Sequence, residues 1–224
     1  VRDANPWWLA AAFGLGMLTY VGSAMGLKAF SPVPLPPWRT TLVQVAASVV
    51  SLVAPAGAGP AALNLRYMQK QRLDTPMALA TVALVQISQF VTTILLLLGV
   101  ALVTGSSGAL DQLPSGAVAI GAAVVVVLAG CAMAVGRLRR WVLAKITPTL
   151  KQIWPRLVWV VGQPGRLIMG LGGNVIMTVG YIAAFGLTLH AFGESLPLTT
   201  LAIVYLVSNT AGSAVPTPGG IGAV

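Results

Sequence analysis

The pattern Pro-x-Gly-x-Gly occurs twice in this chain, at Pro55-Ala-Gly-Ala-Gly59 and at Pro218-Gly-Gly-Ile-Gly222, each time in an apolar stretch. No helix passes smoothly through a proline and several glycines. Inside a bilayer, backbone without helical partners survives only where protein or a water-filled cavity covers it. Two breaks in matching positions therefore predict interrupted membrane segments that meet at a central site.

The rest of the sequence is membrane-grade. It is 57% hydrophobic and 8% charged, with mean hydropathy +0.88, which excludes an ordinary soluble domain. Six apolar segments can be read: Trp7 to Leu27, Leu42 to Leu65, Met77 to Val103, Ala117 to Val135, Leu167 to Leu189, and Leu198 into the second break. Their length and the need to satisfy backbone groups internally predict an all-α polytopic transmembrane helical bundle. The chain reads as one membrane domain over residues 1–224, with repeat A at about 7–72, middle helices at 77–135, a basic loop at 137–166 and repeat B at about 167–224. Its start without Met and its stop just after a Gly-rich break predict a fragment of a longer chain.

The net charge of +9 does not point to nucleic acid, because the basic residues sit at the ends of apolar spans. That is the pattern of topology signals and contacts to anionic headgroups. Residues 137–166 carry seven Lys or Arg and no acid, so this loop is predicted to be cytoplasmic, as is the cluster Arg66, Lys70 and Arg72. The connections Thr104–Gly116 and His190–Pro197 lack Lys and Arg and are predicted to face outside. Alternate spanning then places the N-terminus in the cytoplasm and leaves Arg39 outside. Trp141, Trp154 and Trp159 interleave with the basic loop, which predicts an element lying on the inner leaflet. The alternative is a solvated loop whose Trp residues pack on the bundle.

The halves resemble each other upstream of the breaks. Tyr20-Val-Gly-Ser-Ala-Met-Gly-Leu-Lys-Ala-Phe30 matches the stretch Tyr181 to Phe192, and Leu35 to Leu42 matches Leu196 to Leu201. If all six segments span, the repeats are parallel, about an axis along the membrane normal. If segment 42–65 turns back at its break, they are inverted and Arg39 becomes cytoplasmic. The uncharged stretch between Arg39 and Arg66 is long enough to cross, so full spanning is the reading preferred from sequence.

Catalysis finds no footing. One His and four acids provide no nucleophile–base pair and no metal-ligand cluster, and the glycines lack the strand–turn–helix context of a nucleotide site. Cys131 lies in an apolar run and reads as a packing residue. The expectation is a non-enzyme without cofactor or metal.

The segment Pro216-Thr-Pro-Gly-Gly-Ile-Gly-Ala-Val224 resembles the Pro-Gly-Gly-hydrophobic-Gly signature of the lysylphosphatidylglycerol synthase transmembrane region, a flippase-like family of bacterial integral membrane proteins. The first break, leading into Arg66-Tyr-Met-Gln-Lys-Gln-Arg72, fits the same pattern. In the family an acid usually follows the motif, whereas this chain ends at Val224. The resemblance implies a multi-pass protein of the bacterial plasma membrane that translocates a charged or amphipathic lipid. It does not bring synthase activity, because the soluble aminoacylating domain of some relatives is absent from this sequence.

Helix starts favour anions, so a lipid phosphate is the ligand expected at Pro55, Gly57 and Gly59 and at Pro216, Pro218, Gly219, Gly220 and Gly222. Tight helix crossing through small residues is the alternative. Arg66 is placed to hold a phosphate bidentately, or simply to set topology. Gln86, Gln89 and Asn174 are candidates for a headgroup groove, and Asn209 adjoins the second break. The alternative for these four is interhelical hydrogen bonding. The expected function is flippase-like translocation of an anionic phospholipid or a lipid-linked precursor. The rival readings are a membrane anchor or regulatory domain of a larger protein, and the membrane half of a lipid-modifying enzyme. Expected partners are membrane lipids with anionic headgroups, with a soluble domain or partner protein and a homo-oligomer as further candidates.

Overall fold

Proline and asparagine set the first helix, and proline ends it. Asn5 caps α1 (Pro6–Phe30) by accepting the Trp7 N–H at 3.1 Å, and Pro6 occupies the first helical turn, where its missing N–H costs nothing. The Pro-rich stretch Ser31-Pro-Val-Pro-Leu-Pro-Pro37 forbids continuation, and Ser31 leaves the helix in an extended conformation. The computed structural model describes residues 4–52, 54, 58–104, 155, 158–160 and 162–214. Among these all regular structure is helical, as expected. After α1 come α2 (Pro37–Ser51), α3 (Ala58–Lys70), α4 (Thr75–Thr104), α5 (Pro164–Ala191) and α6 (Leu198–Ala214).

Among the described residues three helices are long and apolar enough to cross a membrane: Pro6–Phe30, Thr75–Val100 and Pro164–Ala191. The fourth expected span, Ala117 to Val135, lies outside the described residues.

The segment expected to cross from Leu42 to Leu65 does not do so. It is two short helices, α2 and α3, folded back on each other. Tyr67 pairs with Thr40 at 3.1 Å, Gln44 donates to Asn64 at 3.0 Å, and Gly59 lies against Val50 and Ala54. These pairs have the register of an antiparallel hairpin, and Ala58 and Gly59, expected within the first break, are the first residues of α3 instead. At 15 and 13 residues the two arms are about 22 and 20 Å long, too short to cross a core of about 30 Å.

The spine of the bundle is α1 against α5. Phe30 meets Gly170, Gly22 meets Gly173, and Thr19 meets Gly180, so the two helices run antiparallel. This overturns the parallel relation between the halves that full spanning required. It also separates two sites expected on one side. Asn5 donates its N–H to the Ala191 carbonyl at 2.9 Å, and Trp8 meets the His190 ring edge-on at 4.8 Å. The start of the chain therefore shares an end of the bundle with the His190–Pro197 connection, and Arg166 lies at the other end.

That other end gathers the basic residues. Leu27, Leu35, Tyr67, Met68, Leu73 and Ala78 form one buried cluster, which brings together the end of α1, the start of α2, the end of α3 and the start of α4. Lys28, Arg66 and Arg72 are each next in sequence to a member of this cluster, Lys70 is two residues from Met68, and Arg39 precedes Thr40, the partner of Tyr67. Arg166 joins them by donating to the carbonyls of Ser31 (2.7 Å) and Ala29 (3.3 Å), with its guanidinium 4.6 Å from the centre of the Trp159 ring. Trp159 packs on the bundle beside Phe30 and Leu84, as the alternative reading of the basic loop had it. Trp141 and Trp154 lie outside the described residues.

Candidate functional site

Membrane helices show polar residues sparingly, so a helical spacing between them marks a face with a purpose. On α1, Thr19, Tyr20 and Ser23 lie together; on α2, Gln44, Ser48 and Ser51; on α4, Gln86, Gln89 and Thr93. The α2 and α4 sets repeat at three, four or seven residues, the spacing of one helix face, and on α1 Ser23 stands three and four residues beyond Tyr20 and Thr19. The fold brings the three faces around one cavity of about 740 Å³. Asn64 of α3, Tyr181 of α5, and Tyr205 and Asn209 of α6 complete its polar groups, while Pro60 and Ala61 of α3 and Val85, Phe90, Ile94 and Leu97 of α4 add apolar wall.

A hydrogen-bonded chain fixes the side formed by α1, α2 and α3. Ser23 Oγ donates to Gln44 Oε1 at 3.0 Å, and Gln44 Nε2 donates to Asn64 Oδ1 at 3.0 Å. Ser48 Oγ gives its proton to the Val45 carbonyl at 2.7 Å, so the 3.1 Å contact with Tyr20 has the Tyr20 hydroxyl as donor. On the opposite side, the Tyr181 and Tyr205 rings stack nearly parallel, 5.8 Å between centres. The carboxamides of Gln86, Gln89 and Asn209 make no side-chain hydrogen bond to another described residue. No described residue of the lining is charged.

The sequence candidates part company in the fold. Gln86, Gln89 and Asn209 line the cavity, with Asn209 exposed toward it near the end of α6. Gly59 adjoins the cavity-lining Pro60, but its own role is close approach. A Cβ there would lie 2.6 Å from Ala54 Cβ and 2.8 Å from Val50 Cγ1, so only glycine lets the hairpin arms meet at this point. Asn174 is buried in the seam of the bundle, where Nδ2 donates to Ser88 Oγ of α4 at 2.7 Å. Arg66 is exposed at the basic end; it is two residues beyond Asn64, on the other face of α3. Pro55, Gly57, Pro216, Pro218, Gly219, Gly220 and Gly222 lie outside the described residues.

Gln44, Asn64, Ser23, Ser48, Tyr20 and the two stacked tyrosines were absent from the sequence candidates. The signal for Gln44, Ser48 and Ser51 was there, as an i, i+4, i+7 polar row in an apolar helix. Tyr20 and Tyr181 head the two matched blocks of the internal similarity, and both face the cavity.

By position the cavity is central. Val85 and Leu97, which bound it on α4, stand about 15 and 33 Å along the helix from Thr75. Such a site suits an occupant that needs hydrogen bonds in the middle of a bilayer. The sequence model of the lysylphosphatidylglycerol synthase TM region matches residues 1–224. No curated protein and no solved structure matches the chain.

Proposed function

This chain belongs to the lysylphosphatidylglycerol synthase transmembrane-region family, and from that membership we propose that it carries an amphipathic lipid between the leaflets of the bacterial plasma membrane. It is a multi-pass membrane protein connected with lipid handling. The observation that carries the finer reading is the central polar cavity, wide enough for a headgroup and walled by helices that lead to or from both Pro/Gly breaks. A headgroup in the cavity keeps its hydrogen bonds while the acyl chains stay in hydrocarbon.

The lipid is an anionic phospholipid or a lipid-linked precursor. Its phosphate first meets the basic end, where Lys28, Arg39, Arg66, Lys70, Arg72 and Arg166 lie together. By the positive-inside rule this end faces the cytoplasm, and the end that holds Asn5 and His190 faces outside. The protein acts without covalent chemistry on the lipid. Its partners are anionic membrane lipids, with a soluble domain in the same polypeptide or a second copy of the chain as further candidates.

Leaflet exchange in proteoliposomes tests this. A fluorescent phospholipid with a polyol headgroup should move from the inner to the outer leaflet far faster with the protein than without it. Gln89→Leu combined with Asn209→Leu should slow that exchange at least about tenfold, the effect of one lost hydrogen-bonding site of about 1.4 kcal/mol. Exchange equal to empty vesicles, or unchanged in the double variant at equal reconstitution, would sink the reading.

A further inference from the structure

The cavity's chemistry specifies its guest more narrowly than an anionic lipid. Every Ser and Thr hydroxyl that lines it has already committed its proton. Thr19 Oγ1 donates to the Gly16 carbonyl (2.6 Å), Ser48 to Val45 (2.7 Å), Ser51 to Ser48 (2.6 Å) and Thr93 to Gln89 (3.0 Å). Ser23 gives its proton to Gln44 Oε1. A hydroxyl has one proton, so these groups offer a guest only lone pairs. The remaining donors are the second N–H of Gln44, the carboxamide N–H groups of Asn64, Gln86, Gln89 and Asn209, and the hydroxyls of Tyr181 and Tyr205.

A phosphate inside this space would meet the lone pairs of these hydroxyls as well as the carboxamide donors, with no cation among the described lining residues. An ammonium group would find acceptors but no carboxylate. Burying either charge without a counter-charge is costly at membrane depth. A guest with several uncharged hydroxyls answers both halves of the wall, because each hydroxyl donates once and accepts twice. The stacked Tyr181 and Tyr205 rings add a flat apolar surface of the kind on which the C–H face of a sugar packs.

The basic end completes the picture. Lys28 is five residues beyond Ser23 on α1, and Arg39 is five before Gln44 on α2, a rise of about 7.5 Å in each case. A phosphate held there is one headgroup length from the cavity.

We infer that the cavity binds the uncharged polyhydroxyl part of a headgroup, a polyol or sugar, and that any phosphate on the same lipid is read separately at the basic end. The inference rests on the lipid-translocation reading for the source of the guest, but its chemistry holds for a free polyol as well.

Binding separates the terms. Native mass spectrometry of the full chain released from detergent would record bound phosphatidylglycerol, glucosyl diacylglycerol, phosphatidic acid and an ammonium-bearing diacylglycerol, each at the same chain composition, and also methyl glucoside. Phosphatidylglycerol should exceed phosphatidic acid by about tenfold, a margin of one or two hydrogen bonds. Glucosyl diacylglycerol, which has no phosphate, should bind and compete with it. The variant Ser51→Ala/Thr93→Val removes two acceptors whose only hydrogen bonds are to their own helices, so the bundle is undisturbed and the margin over phosphatidic acid should collapse. Arg39→Gln/Arg66→Gln should weaken phosphatidylglycerol and leave glucosyl diacylglycerol unchanged. Strong binding of methyl glucoside alone would uphold the polyol chemistry and move the source from lipid to solute. Phosphatidic acid or the ammonium lipid binding as well as phosphatidylglycerol would overturn the inference, as would equal weak uptake of all, the mark of a pocket for water. None of these results depends on leaflet exchange, so the inference and the transport reading fail separately.

Discussion

Gly22 and Ser23 are neighbours in α1, a quarter-turn apart, and they face opposite kinds of surroundings. Gly22 touches the backbone of α5: a Cβ on it would lie 2.5 Å from the Gly173 carbonyl oxygen and 2.9 Å from the Met177 nitrogen. Ser23 looks into the central cavity and holds Gln44. The same division recurs on the partner helix, where Gly180 lies under Thr19 and the next residue, Tyr181, faces the cavity. One pair of helices thus has a dry seam of glycines and, a few ångströms away, a polar wall. In a bilayer, apolar burial gives helices no reason to associate, so close van der Waals packing must hold the seam. The cavity then needs only enough hydrogen bonds to keep its walls in place.

The largest effects belong to the seam. Gly22→Leu, or Gly173→Leu from the other side, forces the two backbones apart along their most intimate contact. Overpacking of this kind costs from about 1 to more than 3 kcal/mol, and here backbone cannot yield as a flexible side chain would. The expected outcome is a protein that no longer elutes as a single species from detergent and loses its cooperative thermal transition. A normal melting temperature would show that the seam is not what holds the bundle.

Arg166→Met comes next. It removes the guanidinium that satisfies two carbonyls at the end of α1 and keeps the apolar stem against Trp159. Hydrogen bonds from a charged donor are each worth about 1.5–3 kcal/mol, so a loss of about 2 kcal/mol is expected in thermal or denaturant unfolding. The bundle should open at its basic end first, read as faster hydrogen exchange at residues 27–31 than at 15–22.

How much of this was legible beforehand divides along the same line. The class and the three long helices could be read because apolar length and proline act locally. The turn-back of α2 and α3 could not. The stretch from Arg39 to Arg66 is as compatible with a full crossing as with a hairpin. What decides between them is the pairing of Thr40 with Tyr67 and Gln44 with Asn64, contacts between residues far apart in sequence. The error propagated, since full spanning also gave the wrong direction to α5 relative to α1. Likewise Gln89 and Asn174 look alike in the sequence, each a carboxamide in an apolar helix. Only the fold shows that one faces the cavity and the other is sealed at the seam.

Asn174→Leu sharpens that contrast. It leaves the Ser88 hydroxyl without its partner at 2.7 Å in a buried place, yet such interhelical bonds in membranes average only about 0.6 kcal/mol and reach about 1.7. A loss of about 1 kcal/mol in thermal unfolding is expected, with lipid binding and exchange unchanged. A selective loss of lipid binding would move Asn174 from the seam to the site.

Ser23→Ala is the smallest change and the most discriminating. The substitution fits the helix, adds no atom, and deletes one hydroxyl that donates to Gln44 Oε1. Gln44 keeps its bond to Asn64, and its freed oxygen faces a polar cavity where water can replace the lost donor. Stability should therefore fall by no more than about 0.5 kcal/mol. The cavity wall, however, loses both an acceptor and the tether that orients Gln44. Leaflet exchange should drop several-fold while the melting curve barely moves, the reverse of what one added side chain does at Gly22. If Ser23→Ala instead lowers stability as much as Asn174→Leu does and leaves exchange intact, then the polar face of α1 is a second packing seam, and the distinction between neighbouring residues on this helix collapses.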